Sequence, residues 1–304
     1  MLKFDEQKQL DSVNGALALR KDIEDIVDTI CGKGYKNICW MGIGGTYASC
    51  LQAEIHMKEK SAIDFFVENA AEYLTTGNRK IGKGTIVIVS SVTGSTEEMV
   101  KGVAKAKTAG AEIIGFIDVP ESKLAQSVDH EIAYAGNEQL KFFMTADRFM
   151  YQAGEFPDYE AYYAEMDAHL AQALVDTEKA ADAFGEAFAQ KHMNDRMHYF
   201  VGAGNQYGAV YSYAMCYWEE QHWLRTKSIH SAEFFHGMLE VVDRDTPVTV
   251  FVGEDAQRPL SLRVAAFLPR ICANYTIIDT KDYPLAGISE QYRGSVSHLV
   301  MHAV

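Results

Sequence analysis

Basic residues are scarce in this sequence: 28 Lys and Arg stand against 42 Asp and Glu, so the formal net charge is −14. Such an acidic surface argues against nucleic acid as the main partner. It does not exclude an anionic ligand, because backbone amides at helix N-termini bind phosphate without any lysine. Long apolar runs are also missing, since none approaches the roughly 20 residues of a membrane span.

Cysteine pairs with CxxC spacing are absent as well. An odd number of cysteines within apolar runs predicts reduced thiols in a cytosolic core, not a disulfide or metal framework. The start of the chain, MLKFDEQKQLD, has neither the basic nor the apolar region of a signal peptide, so we expect a cytoplasmic protein. The five cysteines are Cys31, Cys39, Cys50, Cys216 and Cys272.

Short apolar strands alternate with helices along most of the 304 residues, which predicts an α/β fold with mostly parallel sheets covered by helices on both faces. We expect a first domain over 1–137, connecting helices over 138–195 and a second domain over 196–304. The predicted strands are 36–43, 63–67, 85–90, 111–117, 130–135, 197–204, 246–252 and 274–279. The predicted helices are 46–60, 68–76, 96–109, 207–226 and 258–270.

A glycine-rich turn occurs twice, as GIGGTY from Gly42 and as GAGNQY from Gly202, at an offset of 160 residues. Each copy ends an apolar strand and starts a helix, so duplication of one α/β unit explains the pair. The pattern is also similar to a dinucleotide fingerprint, with Glu68 near the position of a ribose-binding acid. Tyrosine replaces the last fingerprint glycine, so a tight turn against a helix is the competing interpretation.

The loop SSVTGSTEE follows the strand at 85–90 and immediately precedes a helix. Hydroxyls and free amides at a helix N-terminus suit a phosphomonoester, and open α/β sheets bind ligands at this edge. The alternative is a simple N-cap, for which one hydroxyl suffices. The predicted phosphate-binding residues of this loop are Ser91, Thr93, Gly94, Ser95 and Thr96.

The segment WEEQHWLRTKSIHSAEFFHG places Glu220 on a predicted helix and His236 in a loop sixteen residues later. A carboxylate that moves a proton between adjacent carbons and an imidazole that serves sugar oxygens form a general acid–base pair. An exposed helix glutamate and a structural histidine are the competing interpretations. His230, Glu233 and His236 lack a third ligand nearby and the HExxH pattern, so we expect no metal there.

Taken together, these segments resemble the sugar isomerase (SIS) fold in its duplicated form, as in the isomerase half of glucosamine-6-phosphate synthase. The stand-alone deglycases of 6-phosphorylated Amadori compounds are a closer match. In that family SxxGxT grips the sugar phosphate, and the first glycine loop adds a hydroxyl that maps to Thr46. The family's catalytic glutamate lies sixteen residues before the histidine of an HG motif, which selects Glu220 and His236.

The resemblance implies a deglycase that releases a hexose 6-phosphate and a free amino acid without metal or organic cofactor. The expected partners are a phosphorylated sugar-amine substrate and a second copy of the chain, with no nucleic acid and no membrane. An aldose–ketose isomerase and a non-catalytic sugar-phosphate sensor remain alternatives. The synthase's lysine corresponds to Tyr217, and related chains continue beyond SHLVMHAV into a basic-aromatic tail, so we expect a shortened C-terminus that begins a helix.

Overall fold

The computed structural model describes residues 4–304, which form two compact units. The first unit comprises residues 11–163, and the second comprises 4–10 together with 164–304. Each unit contains one sheet in which all strand pairs are parallel. The predicted α/β class with two parallel-sheet units is therefore confirmed.

The chain begins with two helices, α1 (Glu6–Ala18) and α2 (Arg20–Lys33). The alternating elements that follow are β1 (Asn37–Gly42), α3 (Gly45–Lys60), β2 (Phe65–Asn69), α4 (Ala70–Thr76), β3 (Thr85–Ser91), α5 (Glu97–Thr108), β4 (Glu112–Ile117), β5 (His130–Ile132), α6 (Glu138–Gln152) and α7 (Tyr159–Glu165).

Strands β1 and β3 are buried along their whole length because helices cover both faces of this sheet. Cys39 and Met41 belong to a core cluster with residues of α4 and α5. Trp40 points to the opposite face, where its ring lies 5.0 Å from that of Phe142 in α6 and its indole nitrogen contacts Met57 of α3. Because successive side chains of a strand point to opposite faces of the sheet, the apolar run of β1 contributes to the core on each face.

The second unit repeats this plan with four strands. A π-helical segment, Tyr213–Glu219, extends α9, and a short 3₁₀ segment, Ser231–His236, follows β7. The regular elements are α8 (Ala171–His192), β6 (His198–Gly202), α9 (Asn205–Ser212), β7 (Thr226–His230), β8 (Val248–Val252), α10 (Arg258–Phe267), β9 (Tyr275–Asp279) and α11 (Glu290–Ala303).

Two sequence predictions in this unit were wrong. The helix expected over 207–226 ends at Glu219, and its last expected residue begins β7, which was not predicted. Strand β7 lies at the sheet edge and only Ile229 in it is buried, so its sequence, TKSIH, lacks an apolar run. The final residues also do not begin a helix, since they complete α11.

The strand orders are β2-β1-β3-β4-β5 in the first unit and β7-β6-β8-β9 in the second. In both sheets the first strand along the chain lies in the interior, with the second strand paired on one side of it and the third on the other. We call this first strand, β1 or β6, the central strand of its unit. The repeated glycine turns follow the two central strands, β1 and β6. None of the described helices combines the length and the apolar character needed to cross a bilayer.

Candidate functional site

A crevice is expected in the first unit where the strand order reverses, between the carboxyl ends of β1 and β3. These strands pair directly, with Met41 opposite Val89, so the loops that follow them emerge side by side. The loop after β1 leads to Thr46 in the first turn of α3, and the loop after β3 is SSVTGST. The fold therefore brings the two predicted phosphate-binding segments to one edge of one sheet.

The loop after β3 is held in one conformation by its own polar groups. The Ser91 hydroxyl oxygen accepts a hydrogen bond from the Gly94 amide at 3.0 Å, and the Thr93 hydroxyl oxygen accepts one from the Ser95 amide at 3.3 Å. Gly94 has φ of 60°, and a Cβ there would lie 2.0 Å from the Ser122 hydroxyl oxygen. Only glycine fits this position, since it tolerates both the left-handed conformation and the contact.

The N-terminus of α5 carries no cap from its N-cap side chain, Thr96. The first-turn carboxylate of Glu97 pairs with Lys101, one turn further along, instead of capping its own helix. Thr93 and Ser95 are exposed, Thr96 is half-buried, and Ser91 is buried at the end of β3. Hydroxyls and a helix N-terminus of this kind form an anion-binding arrangement, whereas the simple cap by Thr96 is not formed.

The N-terminus of α9, which is the counterpart of the N-terminus of α3, is occupied by a side chain of the protein itself. Asp255, which is 8% exposed, accepts hydrogen bonds from the amides of Asn205 and Gln257, both at 2.8 Å. A Cβ on Gly204 would lie 2.2 Å from this carboxylate, whereas no atom lies within 4 Å of a Cβ on Gly44. At the second copy of the turn, the N-terminus of α9 therefore binds a carboxylate of the protein itself, whereas the first copy has no such group beside Gly44.

Thr46 contacts a residue that the sequence analysis did not select. Its hydroxyl donates a hydrogen bond to the Glu138 carboxylate at 3.0 Å, in the first turn of α6. While this bond is made, the Thr46 oxygen can only accept from a ligand, and phosphate oxygens need donors. The two residues are 92 positions apart, so no local pattern could have predicted the contact.

The contacts of Glu68 do not support the alternative of a dinucleotide-binding site. Its carboxylate accepts a hydrogen bond from the Asn78 side-chain amide at 2.5 Å, beside the end of β2. A Cβ on Gly42 would lie 2.7 Å from the backbone nitrogen of Tyr47. Gly42 therefore allows the close approach of α3 to β1, which agrees with the interpretation of a tight turn against a helix.

Glu220 lies in the second unit, immediately after the π-helical segment. Its amide donates to the Met215 carbonyl at 3.0 Å, and its side chain is exposed. The neighbouring Glu219 instead accepts a hydrogen bond from the Thr226 hydroxyl at 2.7 Å, and so it is engaged with β7. Among the described residues no hydrogen bond or ion pair involves the Glu220 carboxylate, so it is available to a ligand.

His236 is the last residue of the 3₁₀ segment after β7, and it is exposed. His230 differs, because its Nδ1 accepts from the Ala232 amide at 3.1 Å and its ring packs 5.0 Å from that of Tyr207. His230 thus has a structural role at the end of β7. Within residues 4–304 no side-chain hydrogen bond is made by His236.

A cavity of about 580 Å³ also lies in the second unit, between α8, α9, the π-helical segment and α11. Its walls are mainly apolar and include the aromatic residues Phe188, Tyr213 and Trp218. Tyr217 and His222 line it from either side of Glu220 in the sequence. None of the predicted site residues lines it, so the cavity adds no chemistry to the predicted pair.

Comparison with known proteins identifies a SIS domain over residues 34–147, which contain Thr46 and the loop after β3. The chain is 25% identical over 297 residues to fructosamine deglycase FrlB of Bacillus subtilis (strain 168), covering 94% of this chain and 90% of the relative. The resemblance predicted from the motifs is therefore confirmed.

Solved structures confirm the fold over nearly the whole chain. A Bacillus subtilis protein named as a candidate phosphosugar isomerase superposes with a TM-score of 0.86 at 24% identity, covering 98% of this chain and 92% of its own. The C-terminal domain of glucosamine-fructose-6-phosphate aminotransferase from Francisella tularensis gives 0.78 at 15% identity, with the same coverage.

The open helix N-terminus predicts a test of the phosphate loop. Thr96→Val keeps the shape of the side chain but removes one donor, so glucose 6-phosphate should bind about 10-fold more weakly, as expected for one hydrogen bond to a charged group. Thr76→Val, at an exposed helical position away from the loop, should leave the affinity unchanged. Equal affinities of both variants and the wild type in calorimetry would contradict the assignment.

Proposed function

We propose that this SIS-domain protein is a deglycase that cleaves a 6-phosphorylated Amadori compound, of the fructoselysine or glucoselysine type, to a hexose 6-phosphate and a free amino acid. The relative named fructosamine deglycase matches almost the full length of the chain, which supports this substrate class. The observation that carries the proposal is the uncapped N-terminus of α5 beside four hydroxyl residues. It suits the phosphate that such substrates carry.

In this proposal the phosphate occupies the loop after β3, where the hydroxyls of Ser91 and Thr93 accept from backbone amides and keep their own protons for the ligand. Backbone amides at the start of α5 add the helix dipole. The phosphate anchor holds the sugar so that the proton transfers become intramolecular.

The chemistry then needs one base and one acid. His236 assists ring opening and protonates the sugar oxygen, and Glu220 removes a proton from C1 and returns it to C2. Once the substrate ammonium has lost one proton to solvent, the nitrogen lone pair forms a C=N bond to C1 as C2 is protonated, and water hydrolyses this Schiff base to the aldose and the amine. The substrate's own nitrogen accommodates the electrons, so the reaction needs no organic cofactor.

Glu138 has a different proposed task. A carboxylate would repel a phosphate dianion, so its position next to Thr46 suits another part of the substrate. The secondary amine of an Amadori compound is protonated near neutral pH and offers both a positive charge and N–H donors. We assign this group to Glu138, with Thr46 orienting the carboxylate.

This assignment predicts selective loss of affinity for the amine. Glu138→Gln keeps an acceptor for Thr46 but removes the charge, so KM for fructoselysine 6-phosphate should rise about 10-fold, as for a lost charge-assisted hydrogen bond. Binding of glucose 6-phosphate, which has no amine, should change little, and Glu72→Gln in the exposed first turn of α4 is the matched control. Equal weakening of both ligands would show that Glu138 only maintains the fold of the site.

The proposed reaction is tested by incubating the protein with fructoselysine 6-phosphate and measuring glucose 6-phosphate and free lysine. Glu220→Gln should lower kcat by about 10²- to 10⁴-fold with little change in substrate affinity, because it removes the proton-transferring group. Glu219→Gln is the matched control and should retain activity, since Glu219 is bonded to Thr226.

Two outcomes would contradict the deglycase, and a third would contradict the role of Glu220. Interconversion of hexose phosphates without amine release would identify an aldose–ketose isomerase that uses the same residues. Ligand binding without turnover in the wild type would identify a sugar-phosphate sensor. Full activity of Glu220→Gln would remove Glu220 from the mechanism.

A further inference from the structure

Three metal-ligating side chains meet where α8 ends and β6 begins. His192 is the last residue of α8, His198 is the first residue of β6, and Asp195 lies in the turn between them. One carboxylate oxygen of Asp195 lies 2.7 Å from Nδ1 of His192 and 2.9 Å from Nδ1 of His198. One ligand atom from each of the three residues lies within 4.8 Å of the others.

We propose that His192, Asp195 and His198 bind a divalent transition-metal ion of the zinc class. Two imidazole nitrogens and one carboxylate oxygen form a donor set that zinc accepts, with bonds of about 2.0–2.2 Å. In a tetrahedral arrangement such bonds place neighbouring ligand atoms about 3.3 Å apart. Each nitrogen–oxygen pair therefore needs to separate by about 0.5 Å, and the ligand atoms of the two histidines, which lie within 4.8 Å of each other, need to reach about 3.3 Å. Side-chain rotations supply both changes.

The surroundings of the trio support an ion. Nε2 of His198 lies 2.8 Å from the Thr249 hydroxyl, a partner that fixes the ring when the other nitrogen binds a metal. The His198 ring also packs on Phe200 and Trp218, so the site has an apolar shell.

An open cavity lies on the side of Asp195. This residue lines an open cavity of about 420 Å³ together with Asp245, Thr246 and Asn274. Arg196 also lines it, so an approaching cation meets one positive charge beside two carboxylates. The cavity offers room for the water molecules that would complete the coordination of an ion with three protein ligands.

The position in the fold indicates a structural role. The trio lies at the amino end of β6, whereas the glycine turn starts at its carboxyl end, four residues after His198. An ion there would connect α8 to the central strand of the second unit, and metal binding to a folded site adds to folding stability. The inference does not depend on the proposed deglycase reaction.

The test is a titration of the chelator-treated chain with ZnCl₂ by calorimetry, together with Co²⁺ absorption spectra and thermal unfolding. We expect one saturable site per chain, visible d–d bands with Co²⁺ and a higher unfolding midpoint with Zn²⁺. Asp195→Asn and His198→Gln should each weaken binding at least 10-fold, as loss of a ligand does. His169→Gln, at an exposed position, should bind as the wild type does.

Circular dichroism should show that Asp195→Asn stays folded, because asparagine keeps the shape and one acceptor. No saturable Zn²⁺ binding to the wild type would overturn the inference. So would equal binding by Asp195→Asn, which would place the ion elsewhere and leave the trio as a hydrogen-bonded network.

Discussion

Amide groups at the start of a helix need an acceptor, and the two units of this protein meet that need in different ways. In the second unit Asp255 accepts from the amides of Asn205 and Gln257, and it is almost completely buried in doing so. In the first unit the matching turn before α3 has no such carboxylate, since no atom lies within 4 Å of a Cβ on Gly44, and at the neighbouring helix α5 the N-cap residue Thr96 makes no side-chain cap. Under our proposal the substrate phosphate is the acceptor that completes this helix, which links the fold directly to ligand binding.

This difference divides the tasks between two copies of one topology. Both sheets reverse their strand order beside the central strand, so in both we expect a crevice of the kind in which α/β proteins bind ligands. Only the first keeps it open beside a hydroxyl-rich loop, while the second carries the exposed carboxylate of Glu220 and the exposed imidazole of His236. The proposed phosphate anchor therefore lies in one copy, and the proposed acid–base pair lies in the other.

Local patterns predicted much of the fold and selected part of the candidate site. Buried strands such as β1 and β3 have uninterrupted apolar runs, and the SSVTGST loop is a contiguous segment, so both could be found from the sequence. Strand β7 was missed because an edge strand buries few side chains, and TKSIH has only one apolar residue. The Thr46–Glu138 bond and the Asp255 contacts join distant residues, which no local pattern encodes. His192, Asp195 and His198 are spaced three residues apart, so this set of possible metal ligands could have been recognised from the sequence alone.

The most direct test of this account is the crystal structure of the protein with glucose 6-phosphate bound. We predict one phosphate per chain, within hydrogen-bonding distance of the hydroxyls of residues 91–96 and of the first amides of α5. The turn at Gly202–Gly204 should hold no phosphate, since Asp255 occupies the position. A phosphate at that second turn, or a ligand that leaves the loop after β3 untouched, would contradict the division of tasks between the two units.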